Sequence, residues 1–221
     1  MKVCTDACLL GAWAAEKIKQ RSTEVNNILD IGTGTGLLSL MLAQKTTAAI
    51  SAIEINEDAA GQARENFHVS PWAERMFIFN TGIQEFSADK KYEFIISNPP
   101  FFQDDLQSSD AAKNAAKHHT TLPLSALLKA INIHLSDDGS AAILIPWHRT
   151  EYLKKITATE GLFIHEMLFV KQTPAHDFFR SLILLSKKEG KEKKDTLTIQ
   201  EEHRQYSNDF TNLLKDYYGK L

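Results

Sequence analysis

The chain has 221 residues, is 43% hydrophobic and carries a formal net charge of −3 at pH 7. This length and hydrophobic content suit one domain with a full core, and the slight negative charge argues against broad, non-specific nucleic-acid binding while leaving room for a local basic patch. No apolar run approaches the ~20 residues of a membrane-spanning helix, and the first residues do not match a signal peptide, so we expect a cytoplasmic protein.

Predicted strands alternate with predicted helices along most of the chain. We predict helices over residues 5–20, 37–44, 57–67, 124–134 and 149–159, and strands over residues 25–31, 48–55, 75–80, 93–97, 140–146, 162–171 and 178–187. The first helix has either Thr5 or Asp6 as its cap and an apolar face formed by Leu9, Leu10, Trp13 and Ile18. This alternation predicts an α/β fold with a mainly parallel sheet.

We expect a single domain over residues 1–221 with three parts. Residues 1–24 form a helical N-terminal segment, residues 25–187 the core, and residues 188–221 a C-terminal tail. The charge-rich residues 187–194 are predicted to be a solvated turn. Residues 206–218 have helical apolar spacing, which predicts that the tail packs back on the core. Residues 102–121 are polar and show no clear period.

The two cysteines do not indicate a metal site. Cys4 and Cys8 are four residues apart and would share a face in a helix, but two ligands are too few to hold zinc. We expect two free thiols in a reducing compartment and no bound metal.

A glycine-rich loop joins the first predicted strand to the next helix: Asp30-Ile-Gly32-Thr-Gly34-Thr-Gly36. A dinucleotide-binding fingerprint would need its third glycine at Leu37, and a phosphate-binding Walker loop would need a Gly-Lys-Ser/Thr sequence. The spacing instead resembles the first motif of S-adenosylmethionine-dependent methyltransferases. That resemblance implies a loop that packs against the amino-acid part and the sugar of S-adenosylmethionine.

Four further positions are expected to bind the same cofactor. Glu54 ends the second strand roughly 20 residues after the glycines, where a ribose diol would be bound, and Ile55 follows it. After the third strand, many of these enzymes carry an acidic residue that holds the cofactor's adenine, whereas this chain has Gly82. Adenine contact would then come from backbone groups around Gly82 and Ile83. Either feature alone could be an ordinary glycine-rich turn or an exposed acid on a surface loop. Their occurrence together, in this order along the chain and after successive strands, favours the cofactor site.

The fourth predicted strand ends at Asn98-Pro99-Pro100-Phe101. Two prolines stop a strand and hold the chain rigidly. The motif resembles the fourth motif of methyltransferases that modify planar exocyclic nitrogens: the amines of adenine and guanine and the amide of glutamine. In that reading the Asn98 side chain and the Pro99 carbonyl accept the two N–H bonds, and Phe101 stacks on the substrate. The structural alternative is a rigid turn with a buried Phe.

Segments outside these motifs resemble one family, the bacterial tRNA1(Val) adenine-37 N6-methyltransferases. They are Lys2-Val-Cys-Thr5-Asp6, Ser70-Pro-Trp-Ala-Glu-Arg75, Ile96-Ser-Asn-Pro-Pro-Phe101 and Tyr206-Ser-Asn-Asp-Phe-Thr-Asn-Leu-Leu-Lys-Asp-Tyr-Tyr218. The resemblance implies a Rossmann-like class I methyltransferase with a mainly parallel seven-stranded sheet and helices on both faces. It implies Thr5 near the cofactor, a valine tRNA as partner, and a monomer or weak homodimer.

Basic residues at two places are candidate RNA contacts. Lys113, Lys117, His118 and His119 follow the Asn-Pro-Pro turn, while His176 and Arg180 lie between the last two strands. The alternative for each is a solvated surface charge. Three other functions stay open: a protein glutamine methyltransferase, a ribosomal RNA guanine-N2 methyltransferase, and an RNA-binding module that has the fold without catalysis.

Overall fold

The computed structural model describes residues 4–100, 122–201 and 205–219. The helices are α1 (Thr5–Lys19), α2 (Leu37–Ala43), α3 (Glu57–His68), α4 (Leu124–His134), α5 (Thr150–Thr157) and α6 (Asn208–Leu214). The strands are β1 (Asn27–Ile31), β2 (Ala49–Ile53), β3 (Met76–Phe79), β4 (Tyr92–Ser97), β5 (Leu135–Pro146), β6 (Phe163–Lys171), β7 (Phe178–Ser186) and β8 (Lys193–Thr198). None of these helices has the length and apolar character needed to cross a membrane.

The strands form one sheet in the order β3-β2-β1-β4-β5-β7-β6-β8. Strands β1 to β5 pair in parallel, and β7 runs antiparallel to both β5 and β6. The predicted α/β fold with a mainly parallel sheet is therefore confirmed. The sheet nevertheless has eight strands, so the expected count of seven was wrong.

The additional strand, β8, lies in the region predicted to be a solvated turn and tail. It pairs in parallel with β6, from Glu166 opposite Lys193 to Lys171 opposite Thr198. Its first four residues are exposed, and only Leu197 is buried. Charged residues are common on edge strands because they discourage pairing with other chains. Because these charged residues interrupt the alternation of apolar and polar side chains, the sequence did not predict a strand here.

Two apolar clusters cover the two faces of the sheet, and β5 contributes to both. Ala142 and Leu144 face the cluster that contains α1, α2 and α6, whereas Ile143 and Ile145 face the cluster that contains α4 and α5. This alternation follows from the two-residue period of a strand. The sheet is thus buried on both sides, which leaves its edges and strand ends as the accessible places.

Helix α1 is buried around most of its circumference rather than along one face. Residues Ala7 to Ala15 are all buried. A Cβ added to Gly11 would lie 2.6 Å from Met41 Sδ of α2, so the two helices approach closely at this glycine. The predicted cap is also wrong: Cys4 precedes the helix without a side-chain capping bond. Asp6 instead accepts a hydrogen bond from Arg180 Nε of β7 at 2.7 Å.

Two segments that carry the family resemblance have a structural role. The Arg75 guanidinium donates to the carbonyls of Ala43 and Ala48, at 2.5 and 2.6 Å, and so joins the end of α2 to the start of β2. In the tail, the rings of Tyr206 and Phe210 stack with centroids 4.6 Å apart, and Phe210 is fully buried. Both segments therefore contribute to packing within the fold.

Candidate active site at the carboxyl ends of the strands

The predicted site residues follow directly from the register of four parallel strands. Ile31 of β1 pairs with Ile53 of β2 and Ser97 of β4, and Ile53 pairs with Phe79 of β3. The next residues along the four strands are, from one side of the sheet to the other, Asn80, Glu54, Gly32 and Asn98. Parallel strands end at the same edge of a sheet, where ligands bind in such folds. The structure therefore brings these four residues together at the carboxyl ends of the parallel strands.

The glycine loop makes a left-handed path that other residues rarely adopt. Gly32, Gly34 and Gly36 have φ values of 72°, 59° and 89°. A Cβ on Gly36 would lie 2.4 Å from Phe67 Cε1 of α3, so this glycine permits the helix to pack on the loop. A Cβ on Gly32 would meet nothing within 4 Å, which leaves its backbone open to a ligand. Gly32 and Gly36 thus have different roles.

Asp30 lies beneath this loop and is completely buried. Its Oδ2 atom accepts hydrogen bonds from Thr33 Oγ1 at 2.6 Å and Ser39 Oγ at 2.7 Å. Its Oδ1 atom has no partner within the described residues. Burial raises the pKa of Asp30 to about 6, against the lowering by the two hydroxyl bonds. Thr33 and Ser39, which our sequence reasoning missed, fix the carboxylate that shapes the loop.

Glu54 connects the end of β2 to the glycine loop. Its Oε2 atom accepts from the Gly34 N–H at 2.8 Å, and its Oε1 atom accepts from the Asn56 N–H at 2.9 Å. Asn80 Nδ2 donates to the backbone oxygen of Glu54 at 2.8 Å and so braces the same position from β3. Each carboxylate oxygen keeps a further lone pair for a hydroxyl donor. Asn80 was not assigned a role from the sequence.

An exposed apolar side chain follows Glu54. The side chain of Ile55 is 60% exposed, which is unusual for isoleucine, whereas Ile83 is buried. A Cβ on Gly82 would lie 3.6 Å from Ile55 Cδ1 and 3.4 Å from Gln84 Oε1, so the missing side chain leaves space beside Ile55. A flat ring can lie against Ile55 in that space. The acid expected there in related enzymes would have filled part of it.

The Asn-Pro-Pro turn begins where β4 is fastened to β1. Ser97 Oγ donates to the Ile31 carbonyl at 2.8 Å. The next residue, Asn98, has a buried side-chain oxygen that accepts no hydrogen bond from the residues described. Buried acceptors in proteins are almost always satisfied, so this oxygen is a candidate acceptor for an N–H group that the described residues do not supply. Pro99 is half-buried and Pro100 is exposed, while Phe101 lies outside the described residues.

The remaining predicted contacts are spread more widely. Thr5 lies close to the Tyr218 phenol, which places it against the C-terminal tail. Arg180 is paired with Asp6, and its guanidinium carbon lies 5.2 Å from the centre of the Phe179 ring. His176 is in the β6–β7 loop, with Nδ1 2.7 Å from Thr173 Oγ1. Four candidates lie outside the described residues: Lys113, Lys117, His118 and His119.

No group of three or more His, Cys, Asp or Glu side chains suited to a metal occurs in the part of the chain that the structure describes. Cys4 is exposed and Cys8 is buried, both as free thiols.

Known proteins are similar to this chain in both sequence and fold. The methyltransferase small domain model matches residues 13–123. A tRNA1(Val) (adenine(37)-N6)-methyltransferase from Parabacteroides distasonis is 42% identical over the whole chain and 92% of its own length. A protein of the same name from Shewanella baltica is 36% identical, with 100% and 93% covered.

Solved structures add evidence on the fold alone. A predicted O-methyltransferase from Agrobacterium tumefaciens superposes with a TM-score of 0.69 at 15% identity, covering 96% of both chains. The glycopeptide N-methyltransferase MtfA, solved with S-adenosylmethionine, superposes with a TM-score of 0.59 at 10% identity, covering 80% of this chain and 94% of its own. The Rossmann-like fold expected from the sequence is thereby confirmed.

Proposed function

The chain belongs to the methyltransferase small domain family and, over its full length, to the tRNA1(Val) (adenine(37)-N6)-methyltransferases, and from this we propose that it methylates N6 of adenine 37 in a valine tRNA. It is a methyltransferase, and its cofactor is S-adenosylmethionine. One observation in the structure carries the proposal: the unpartnered side-chain oxygen of Asn98 at the end of β4, beside the glycine loop. This oxygen suits a substrate that brings an N–H group.

The residues at the strand ends fit the cofactor. The open backbone of Gly32 and the unpartnered Oδ1 of Asp30 lie at the end of β1, where a methionine moiety with its ammonium group would be held. The free lone pairs of Glu54 suit the two ribose hydroxyls. The exposed side chain of Ile55, beside Gly82, suits one face of a flat purine. The methionine, ribose and adenine parts of the cofactor would thus each meet suitable groups: the first at the end of β1, the second at Glu54 and the third at Ile55 and Gly82.

S-adenosylmethionine supplies the electrophilic methyl group when it is bound. The chain's own task is to position a weak nucleophile, because the lone pair of an exocyclic amine is delocalised into the ring. Asn98 Oδ1 and the Pro99 carbonyl would each accept one N6 hydrogen, which fixes the amine and stabilises positive charge that develops on it. Pro99 and Pro100 have no N–H groups and a fixed φ, so the turn offers acceptors in a rigid frame.

An anticodon-loop adenine suits this site better than a base in a duplex. A base in a single-stranded loop leaves its stack at little cost, and proteins read such loops through stacking, shape and phosphates. Phe101 stays a sequence-based candidate for stacking on the target base. The full-length relatives favour adenine in tRNA over the guanine and glutamine substrates with which the Asn-Pro-Pro motif is also compatible. A monomer or weak homodimer stays a prediction.

The test is methyl transfer from labelled S-adenosylmethionine to total tRNA from a strain that lacks the gene, followed by nucleoside mass spectrometry. We expect N6-methyladenosine in a valine tRNA, and none with the Asn98→Ala variant. N2-methylguanosine in the RNA product, or label in protein instead of RNA, would overturn the assignment. An Asn98→Ala variant as active as the wild type would overturn the mechanism.

A further inference from the structure

An exposed cluster of aromatic rings lies beyond the end of β5. Trp147 starts the turn after Pro146, and its ring centroid is 6.0 Å from that of Phe178. The Phe178 ring is in turn 5.5 Å from the Phe169 ring of β6. The three side chains come from three neighbouring strand ends. We call Trp147, Phe178 and Phe169 the aromatic platform.

The exposure of Trp147 distinguishes it from the other tryptophans of the chain. Trp147 is 43% exposed, whereas Trp13 is buried and Trp72 packs against the core. Phe169 packs against the core cluster and Phe178 is half-buried, so the inner rings support the outer one. Large rigid aromatic side chains that are held in place and partly exposed are typical of binding surfaces.

The platform adjoins the proposed active site through the β4–β5 pairing. Ser97 of β4 is opposite Ile143 of β5, so β5 continues three residues further, to Pro146, alongside the Asn98-Pro99-Pro100 turn. Adjacent strands are about 4.8 Å apart, and Trp147 lies three residues, roughly 10 Å, beyond the level of Asn98 along the strand direction. A nucleotide close to one held at Asn98 would reach the platform.

The surroundings of the platform carry positive charge. Lys171 Nζ lies 5.9 Å from the Phe178 ring centre and donates to the Pro174 carbonyl at 3.3 Å. His148 and Arg149 follow Trp147 in the chain. The nearby acid Glu151 is paired with Lys154 at 3.2 Å, while Asp177 in the β6–β7 loop is exposed. Aromatic faces bordered by cations are the combination with which proteins bind single-stranded nucleic acids.

We propose that Trp147 is a stacking site for an unpaired nucleobase of the tRNA loop that carries the target adenine, and that Lys171 contacts a neighbouring phosphate. This inference rests on the proposed function and specifies where the substrate lies. It extends the site from one base at Asn98 to at least two bases of the loop. The energy of stacking on Trp147 would be part of tRNA binding, not of cofactor binding.

The experiment measures tRNA affinity and methylation kinetics for Trp147→Ala, Trp147→Leu and Trp147→Phe. We expect the KM and Kd for tRNA to rise at least fivefold in the Ala and Leu variants and to change little in the Phe variant, which keeps a stacking face. The affinity for S-adenosylhomocysteine should be unchanged in all three. Lys171→Ala should weaken tRNA binding and lower its dependence on salt by about one phosphate contact.

The matched control is Phe77→Ala. Phe77 is 48% exposed, but it is on β3, four strands away from β5 in the sheet. Its removal should leave tRNA binding unchanged. Wild-type tRNA affinity in both Trp147→Ala and Trp147→Leu would overturn the stacking site even if the wild-type protein makes N6-methyladenosine. Failure of the proposed function can be told apart from failure of the stacking site, because the wild-type protein itself would then leave tRNA unmethylated.

Discussion

The carboxylate of Glu54 accepts a hydrogen bond from the backbone N–H of Gly34 at 2.8 Å, which joins the end of β2 to the loop after β1. The other carboxylate oxygen accepts from the N–H of Asn56, the residue that caps α3 through a bond to the Ala59 N–H. One side chain therefore fixes a loop and a helix start, and under the proposed function its remaining lone pairs would accept from a ribose diol. Its replacement should affect both tasks.

Glu54→Ala should weaken S-adenosylhomocysteine binding by about tenfold or more and leave tRNA affinity unchanged. The variant loses the diol acceptors and releases the Gly34 N–H, and bonds to a charged acceptor are worth about 1.5–3 kcal/mol. Calorimetric titration measures the first effect. Glu57→Ala, at the exposed first turn of α3, is the control and should bind as the wild type. Unchanged cofactor affinity in Glu54→Ala would refute the ribose role.

Asn98→Ala and Asn80→Ala should fail in different ways, although both residues follow parallel strands at the same end of the sheet. The Asn98 side-chain oxygen has no partner among the described residues and is the proposed acceptor for the substrate amine, so its loss should lower kcat by about 10²–10³ at saturating cofactor. Asn80 braces the backbone of Glu54, so its loss should weaken cofactor binding and leave kcat near the wild-type value. Steady-state kinetics with varied cofactor separate the two. A pure cofactor-affinity defect in Asn98→Ala would contradict its assigned role.

Two glycine substitutions in the loop should differ in their cost to stability. Gly32→Ala meets no neighbour within 4 Å, so it should cost only the left-handed strain of about 1–2 kcal/mol. Gly36→Ala adds a clash with Phe67 of α3, and overpacking costs about 1–3 kcal/mol more. Urea unfolding measures the difference. Equal losses in the two variants would mean that Phe67 moves aside freely.

The site could be predicted from sequence where short motifs follow strands directly. Gly32, Glu54 and Asn98 were located because each continues an apolar strand with a change of residue type. What was missed depends on contacts between distant segments: β8 is a charged edge strand that only its pairing with β6 identifies. Trp147 gave no signal because an aromatic residue after a strand is as typical of a core as of a surface.

The buried carboxyl of Asp30 should make stability depend on pH. Its pKa is 3.8 in a model peptide and about 6 in the fold, mainly because of burial. Below pH 3.8 both states are protonated. Between pH 3.8 and about 6 the unfolded state releases its proton while the folded state keeps it, so stability falls as pH rises. The full loss is about 3 kcal/mol, at 1.36 kcal/mol per pH unit.

Asp30→Asn removes this titration but keeps an oxygen that can accept from Thr33 and Ser39. The free energy of unfolding of the variant, minus that of the wild type, should therefore increase by up to about 3 kcal/mol between pH 4 and pH 7, since the other carboxyls cancel in the difference. Urea unfolding at several pH values measures it. Asp138→Asn is the control with the opposite sign: Lys188 lowers the pKa of Asp138, so that group stabilises the fold above pH 3.8 and loses this effect as pH falls. A difference for Asp30→Asn that stays constant from pH 4 to pH 7 would show that Asp30 is ionised throughout, and that the fold solvates its carboxylate better than its burial indicates.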